Sequence, residues 1–402
     1  VSSVDYAGWK RLLAEERLPA VVVDLDAFDR NVRKLAGYAS GGGKRLRLAT
    51  KSLRVPELIR RVLAAGAPYQ GLMCYAAEEA ARLREQGFDD LLVAYPTVRA
   101  SDLALLRRLH EQGALVAATV DHVDSLRALA AAMKGVSKPF RFIADVDMSL
   151  RPFGGLLHLG VRRSPLHSAR DVAALMDEAA RHAPAVRFVG ALAYEAQVAG
   201  LGDRNPFKRL MNPVFSLVRK ISVGTVARIR RDLGELFRER GLVPEIFNGG
   251  GTGSIDTAAG ETPLTELSAG SGLLCSHLFD YYSNVRFEPS CFFALQATRF
   301  PAPGFVTCLG GGYIASGEPG WDRVPRPYLP AGGELTSGEA CGEVQTPVRY
   351  AADPGLALGD PVLFRHAKAG ELAERFNDYL LVSGGRVVSR AKTYRGLGDC
   401  YF

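Results

Sequence analysis

The chain has 402 residues, 47% hydrophobic and 23% charged, enough apolar material for a sizeable core and too much for a disordered or low-complexity chain. No apolar run of about 18 residues occurs, and the opening VSSVDYAGWKRLLAEERLP lacks an apolar signal core, which argues against a membrane span and secretion and for a cytoplasmic protein. Fifty Lys and Arg against 43 Asp and Glu leave +7, an excess that suits nucleic acid but equally an anionic cofactor or substrate, and the six scattered cysteines form neither a CxxC pair nor a zinc-finger spacing.

In chain order, LPAVVVDLDAFDRNVRKLAGYA supplies a β run and a helix expected to bridge two domains. From about residue 46, short β-prone runs alternate with amphipathic stretches. The strand candidates are LRLATKS, YQGLMCY, DLLVAY, LVAATV, FRFIADVDM, RFVGALAYE, EIFNGGG and TELSAGSGLL, and several of the helical segments between them end in a Gly that suits a C-cap. Eight β runs separated by helices predict an α/β fold, a (β/α)8 barrel over residues 21–275. After residue 276 Pro and Gly become frequent and β-prone runs are joined by turns such as Gly384-Gly385, which predicts an antiparallel β domain over 276–402, with residues 1–20 associated with it.

A barrel places chemistry at the C-terminal ends of its strands. Lys51, Tyr75, Tyr95, Asp147, Tyr194, Glu195, the glycines after Asn248, Gly270 and Ser271 fall there. The long connection from Glu195 to Glu245 carries Lys208, Arg209, Arg219, Lys220, Arg228, Arg230 and Arg231 and reads either as a solvated helical insertion or as a lid or docking surface for an anionic partner.

Lys51 can form a Schiff base with an aldehyde if its neutral amine is accessible; the plain alternative is a surface lysine opening the next helix. The run Asn248-Gly249-Gly250-Gly251-Thr252-Gly253-Ser254 follows a strand, so its backbone N–H groups can crowd around a phosphate while the Thr and Ser hydroxyls add donors. It is neither a Walker loop nor a dinucleotide fingerprint, and a flexible turn is its plain alternative. A reactive lysine on the first barrel strand and a phosphate loop on the seventh together suggest pyridoxal 5'-phosphate.

The strings LPAVVVDLDAFDRNVRKL, RLATKS, GLMCYAAEEAARLREQGFDDLLVAYP, FIADVDMSLRP, GALAYEAQVAG and FNGGGTGS resemble the fold-type III pyridoxal-phosphate enzymes, the alanine racemase-like barrels, and within them the D-threonine aldolase and D-serine dehydratase family. The resemblance runs from about residue 18 to the C-terminus. It implies that Lys51 holds the cofactor covalently and acts as a base, that Gly250, Gly251 and Thr252 bind the phosphate, that Tyr194 touches the cofactor, and that Arg151 lies near the pyridine ring. It also implies a homodimer with each β domain facing the neighbouring barrel.

Two departures qualify it. Where relatives read Tyr-Glu-Gly-His this chain has Tyr194-Glu195-Ala196-Gln197, an amide limited to hydrogen bonding. Where metal-binding members carry His-x-Cys or His-x-Asp it has His366-Ala367-Lys368, and an ammonium has no lone pair for a cation. Either Lys368 replaces the metal by polarising the substrate's β-hydroxyl while His366 moves the proton, or Lys368 bridges a carboxylate such as Glu371 and His366 only packs. The expectation is therefore a metal-free lyase with catalytic Lys51, His366 and Lys368 that cleaves β-hydroxy-D-amino acids to glycine and an aldehyde. Dehydration to an oxo acid and ammonia is the alternative, and a non-catalytic pyridoxal-phosphate carrier is the rival from another class. No nucleic-acid module is recognisable.

Overall fold

The computed structural model describes residues 4–152 and 155–401. Eight parallel strands close into a barrel: β2 (Arg45–Ala49), β3 (Tyr69–Cys74), β4 (Leu91–Val93), β5 (Val116–Val120), β6 (Phe140–Asp145), β7 (Val186–Leu192), β8 (Ile246–Gly249) and β9 (Glu266–Ala269). Each is followed by a helix, which makes the (β/α)8 barrel read from the sequence. Parallel strands are covered on both faces, and their burial is almost unbroken, as in the fully buried β5. In β2, Leu46 and Leu48 join the large outer core with the helices. Arg47, between them, turns inward and donates to Glu266 on β9 at 2.7 Å and to Asp90 at 2.9 Å. Higher in the barrel Leu92, Ala117, Ile143, Val189, Leu192 and Ile246 form a separate small core with Tyr194 packed against it. Gly190, at φ +146°, lies where β7 crosses β8, and a Cβ there would overlap the Ile246 carbonyl.

The second sheet is antiparallel except for one pair. It takes β1 (Ala20–Asp24) from the start of the chain, then β10 (Cys291–Arg299), β11 (Phe305–Leu309), β12 (Arg326–Leu329), β13 (Gly333–Leu335), β14 (Gln345–Tyr350), β15 (Pro361–Arg365), β16 (Asp378–Ser383) and β17 (Arg386–Lys392). β1 runs antiparallel to β10 and parallel to β16, so the chain begins in this sheet and crosses into the barrel through the helix Leu25–Gly41. The expected boundary at residue 20/21 therefore falls at the start of a sheet strand. The Asp24 side chain caps that helix by accepting from the Asp26 and Ala27 amides, both at 3.1 Å, which turns the chain sharply at the junction.

Candidate active site

Lys51 lies in a single 3-10 turn, Thr50–Ser52, directly after β2. Thr50 Oγ1 donates to the Met73 carbonyl at 2.9 Å, pinning the turn to the neighbouring strand. The Lys51 side chain opens into a cavity of about 830 Å³ at the C-terminal mouth of the barrel, lined also by Asp121, Asp145, Arg163, Tyr194, Ser271 and Lys368. Solvent reaches the side chain through this cavity, although its amine is ringed by protein. That burial, with the cations Arg163, Lys368 and Arg54, holds the Lys51 amine below the usual lysine range. Geometry and charge thus both act toward the accessible neutral amine that a Schiff-base lysine needs.

Across the cavity Tyr194, just past β7, carries a hydroxyl that burial pushes up to about 12. The Arg163 guanidinium is centred 5.7 Å from its ring. Arg163 Nε donates to both oxygens of Asp145, at the end of β6, at 2.8 and 2.9 Å, and this buried partner keeps the guanidinium charged. Arg151 is exposed and near His167, outside the cavity lining among the described residues. Arg163, two residues beyond Val161, lines the cavity instead; Leu150 pairs with Leu159, and the Val161 carbonyl accepts from Ser149 Oγ at 3.0 Å.

The glycine run also differs in detail from expectation. Its Gly250 amide donates to Glu195 at 3.1 Å and its Gly251 amide to Ser254 Oγ at 3.1 Å, so these two donors are already engaged. The glycines instead give room, since a Cβ on Gly251 would come within 2.9 Å of the Tyr194 ring. Thr252 Oγ1 accepts from the Gly270 and Gly272 amides at 3.4 and 3.3 Å and from Ser271 Oγ at 3.3 Å. Ser271, which opens a short helix after β9, is the member of this cluster that lines the cavity. Beneath the loop Glu195 accepts from Ser254 Oγ at 2.6 Å and pairs with Arg230, which donates to the Ala193 carbonyl at 2.6 Å and to Glu261 at 2.5 Å. Arg230 belongs to the 28-residue helix Asn212–Glu239. Together with Arg219 on Asp256 and Lys208 on Glu318, it shows that part of the basic connection is spent inside the fold.

Lys368 reaches the same cavity from the β domain, where its ammonium lies 2.9 Å from Ser316 Oγ and 3.2 Å from Glu371. His366 lies beside it: the ring is buried and lines an adjoining pocket of about 310 Å³, which Lys368 and Glu371 also line, and reaches toward the Cys291 backbone without a well-formed hydrogen bond. Burial beside Arg365 drives its pKa down to about 3, so near neutrality the ring is the uncharged imidazole. Gln197 is buried and donates to the Met148 carbonyl at 2.5 Å, a hydrogen-bonding role only.

The residues fit pyridoxal phosphate: an amine held toward its neutral form shares a cavity of suitable size with the hydroxyls of Tyr194 and Ser271 and the guanidinium of Arg163. They do not fit a divalent cation. Among the described residues no three His, Cys, Asp or Glu side chains gather as a metal centre would require, and the Lys368 ammonium stands two residues from His366.

Sequence reasoning missed Asp145, Arg163, Arg54 and the buttressing role of Arg230. Asp145 was legible as the last residue of a strand run. Arg163 carried only the weak signal of a Val-Arg-Arg-Ser run after a long loop.

Residues 23–221, which take in barrel strands β2 to β7, match the family described as "Alanine racemase, N-terminal domain", in agreement with the resemblance to the fold-type III pyridoxal-phosphate enzymes. Among individual proteins, the chain is 29% identical over 304 residues to D-threonine aldolase of Arthrobacter sp., covering 74% of this chain and 73% of that one. The structure superposes on D-threonine aldolase from Filomicrobium marinum with a TM-score of 0.80 at 22% identity, over 96% and 97% of the two chains. It also superposes on D-threo-3-hydroxyaspartate dehydratase from Delftia sp. HT23 with a TM-score of 0.73 at 18% identity, over 95% and 98%. The two superpositions establish a shared alanine racemase-like fold.

Proposed function

We propose that this protein is a pyridoxal-phosphate-dependent lyase that cleaves the Cα–Cβ bond of β-hydroxy-D-amino acids, giving glycine and an aldehyde, without a divalent metal. The observation that carries the reading is the Lys51 amine, kept toward its neutral form at the barrel mouth in one cavity with Tyr194 and with Ser271, whose hydroxyl donates to Thr252 behind it. Similarity to a D-threonine aldolase supports the reaction class.

In this reading Lys51 and Tyr194 hold the cofactor, Arg163 faces its ring and the cluster around Thr252 and Ser271 takes its phosphate. When bound, the group supplies an aldehyde that captures the substrate amine and a ring that draws electrons from Cα. The charged Arg163 would face that group and temper the electron withdrawal it supplies. The Lys51 amine would take the β-hydroxyl proton and later return it to Cα of glycine, so the cycle closes without net proton loss. The Lys368 ammonium donates to the β-oxygen as charge grows there, the part a metal plays elsewhere. Glu371 and Ser316 aim that ammonium. His366 is given no proton to move. A cytoplasmic homodimer belongs to the same reading, and the strongly exposed Leu156 and Leu210 support an assembly that covers apolar surface.

The test is product analysis by mass spectrometry, with the cofactor-loaded, chelator-treated protein incubated with D-threonine and with D-serine. Glycine with acetaldehyde or formaldehyde is the expected result. An oxo acid with ammonia would make the enzyme a dehydratase, and product that appears only after a divalent metal is restored would overturn the role given to Lys368.

A further inference from the structure

Lys51 is gripped from the β domain as well as from the barrel. After the Thr50–Ser52 turn the chain passes through Arg54, which has φ +53°, a left-handed conformation that disfavours a long side chain. Two backbone hydrogen bonds hold it there. The Arg54 amide donates to the Thr50 carbonyl at 3.0 Å, and the Arg54 carbonyl accepts from the Tyr394 amide, beyond β17, at 2.9 Å. This conformation folds the side chain back over the turn, so that Nε donates to the Lys51 carbonyl at 3.2 Å while the guanidinium centre lies 5.1 Å from the Tyr75 ring. Its Nη1 pairs at 2.5 Å with Glu374, just past the β-domain helix Ala369–Ala373. The same helix presses on the lysine directly: a Cβ on Gly370 would overlap the Lys51 carbonyl and lie 3.3 Å from Arg54 Nε.

Arg54 is also a wall of the Lys51 cavity. The charged groups around the amine fall into pairs: Arg163 with Asp145, Lys368 with Glu371, and Arg54 with Glu374. Asp121, Arg162 and Arg323 line the rest of the cavity. Of the three cations that act on Lys51, Arg54 alone is bonded to the lysine's own backbone and answered by a carboxylate of the other domain.

We propose that Arg54 is a positioning residue for Lys51, held in that role by Glu374, so that the β domain sets the reactivity of the barrel's lysine from across the domain boundary. The catalytic consequence rests on the function proposed above; the effect on the amine does not. The two partners must act with opposite sign. Loss of the Arg54 charge makes the Lys51 ammonium easier to form, so the amine's titration moves to higher pH. Loss of the Glu374 charge removes a carboxylate that offsets the Arg54 charge, while the buried Glu79 on the other side of Arg54 is unchanged, so the titration moves to lower pH. A purely structural contact has no reason to give opposite signs.

The experiment is trace acetylation of the full chain with acetic anhydride from about pH 6 to about pH 10.5, around the ordinary lysine range. The Lys51 peptide is quantified by mass spectrometry against the other lysines, without cofactor, in the parent and in Arg54→Met, Arg54→Lys and Glu374→Gln. The expected midpoints are about half to one unit up for Arg54→Met, about as much down for Glu374→Gln, and near the parent for Arg54→Lys. Shifts of the same sign, or none, overturn the proposal. If Arg54→Met does not fold by circular dichroism, Glu374→Gln decides alone, and anything other than a downward shift is a refutation. A parallel borohydride trap of the cofactor-loaded protein separates the two readings: opposite shifts with no Lys51 adduct retain this inference and overturn the proposed function.

Discussion

The buried triad under the glycine loop offers the sharpest test of how this site is built. Arg230 is fully buried, Glu195 almost so, and Glu261 mostly, so replacing Arg230 by Met leaves two carboxylates without their common cation in a poorly solvated place. Removing one partner of such a buried arrangement costs about 3–5 kcal/mol, since the remaining charge keeps its desolvation penalty and loses its attraction. With an unfolding entropy of about 2.1 cal/mol/K per residue, a cooperative unit of this length should melt about 4–6 °C lower. The control is Arg349→Met, whose pair with Glu334 is solvent-exposed on both sides, is worth under about 1 kcal/mol and should shift the melt by about 1 °C or less. A second assay asks whether the damage reaches the loop. Glu195 holds the Gly250 amide and Ser254 Oγ, so Arg230→Met should weaken capture of pyridoxal 5'-phosphate about tenfold, as from a lost interaction of about 1.4 kcal/mol, and leave unphosphorylated pyridoxal nearly unchanged. An Arg230→Met protein that melts with the Arg349 control, or loses both vitamers equally, would refute the argument.

Lys51→Ala should abolish both turnover and the borohydride-stable adduct, checked by intact mass. Lys368→Met should lower kcat by about 100- to 1,000-fold, the usual cost of one donor to a developing oxyanion, with little change in cofactor binding, and exhaustive chelation of the parent should leave kcat unchanged. Glu79 is buried against Tyr75 and Tyr394, and burial lifts its carboxyl from 4.5 to about 7. A folded pKa above the unfolded value means that protonation favours the fold, so this group's contribution is fully present below about pH 4.5 and lost as pH rises to about 7, by about 3 kcal/mol at most. Glu79→Gln should therefore flatten the fall in stability over that window, read from denaturant melts at several pH values.

The barrel was legible because parallel strands buried on both faces leave short apolar runs, and the helices between them end on glycine. β1 was harder to assign, since its partners β10 and β16 lie about 270 and 360 residues further on, and VVVD carries no mark of which sheet it joins. Within the site, Lys51, Tyr194 and Lys368 could be read from strand ends and motifs. That Arg163 rather than Arg151 lines the cavity was not legible in the sequence, because it depends on the pairing of Leu150 with Leu159 and of Ser149 with Val161. The burial of the His366 ring, in a pocket that adjoins the Lys51 cavity and shares Lys368 with it, leaves no mark in the sequence pattern either.

The positive charge of the chain acquires a different meaning at this point. Three cations crowd the Lys51 amine, and each is answered by a carboxylate one step further from it. A cation placed near the amine with its counter-charge behind depresses the lysine while keeping the pair as a whole neutral, which limits the desolvation cost of burying it. The same arrangement leaves positive ends pointing into the cavity, toward a phosphate and a substrate carboxylate. A fixed metal would supply the same positive field only through ligands that this chain does not assemble around His366. Lys368, held between Ser316 and Glu371, provides it as a hydrogen-bond donor whose reach is set by a flexible side chain. The proposed enzyme trades the strength of a Lewis acid for independence from metal supply, and added manganese or zinc should not restore Lys368→Met, because among the described residues no set of ligands gathers there to hold the ion.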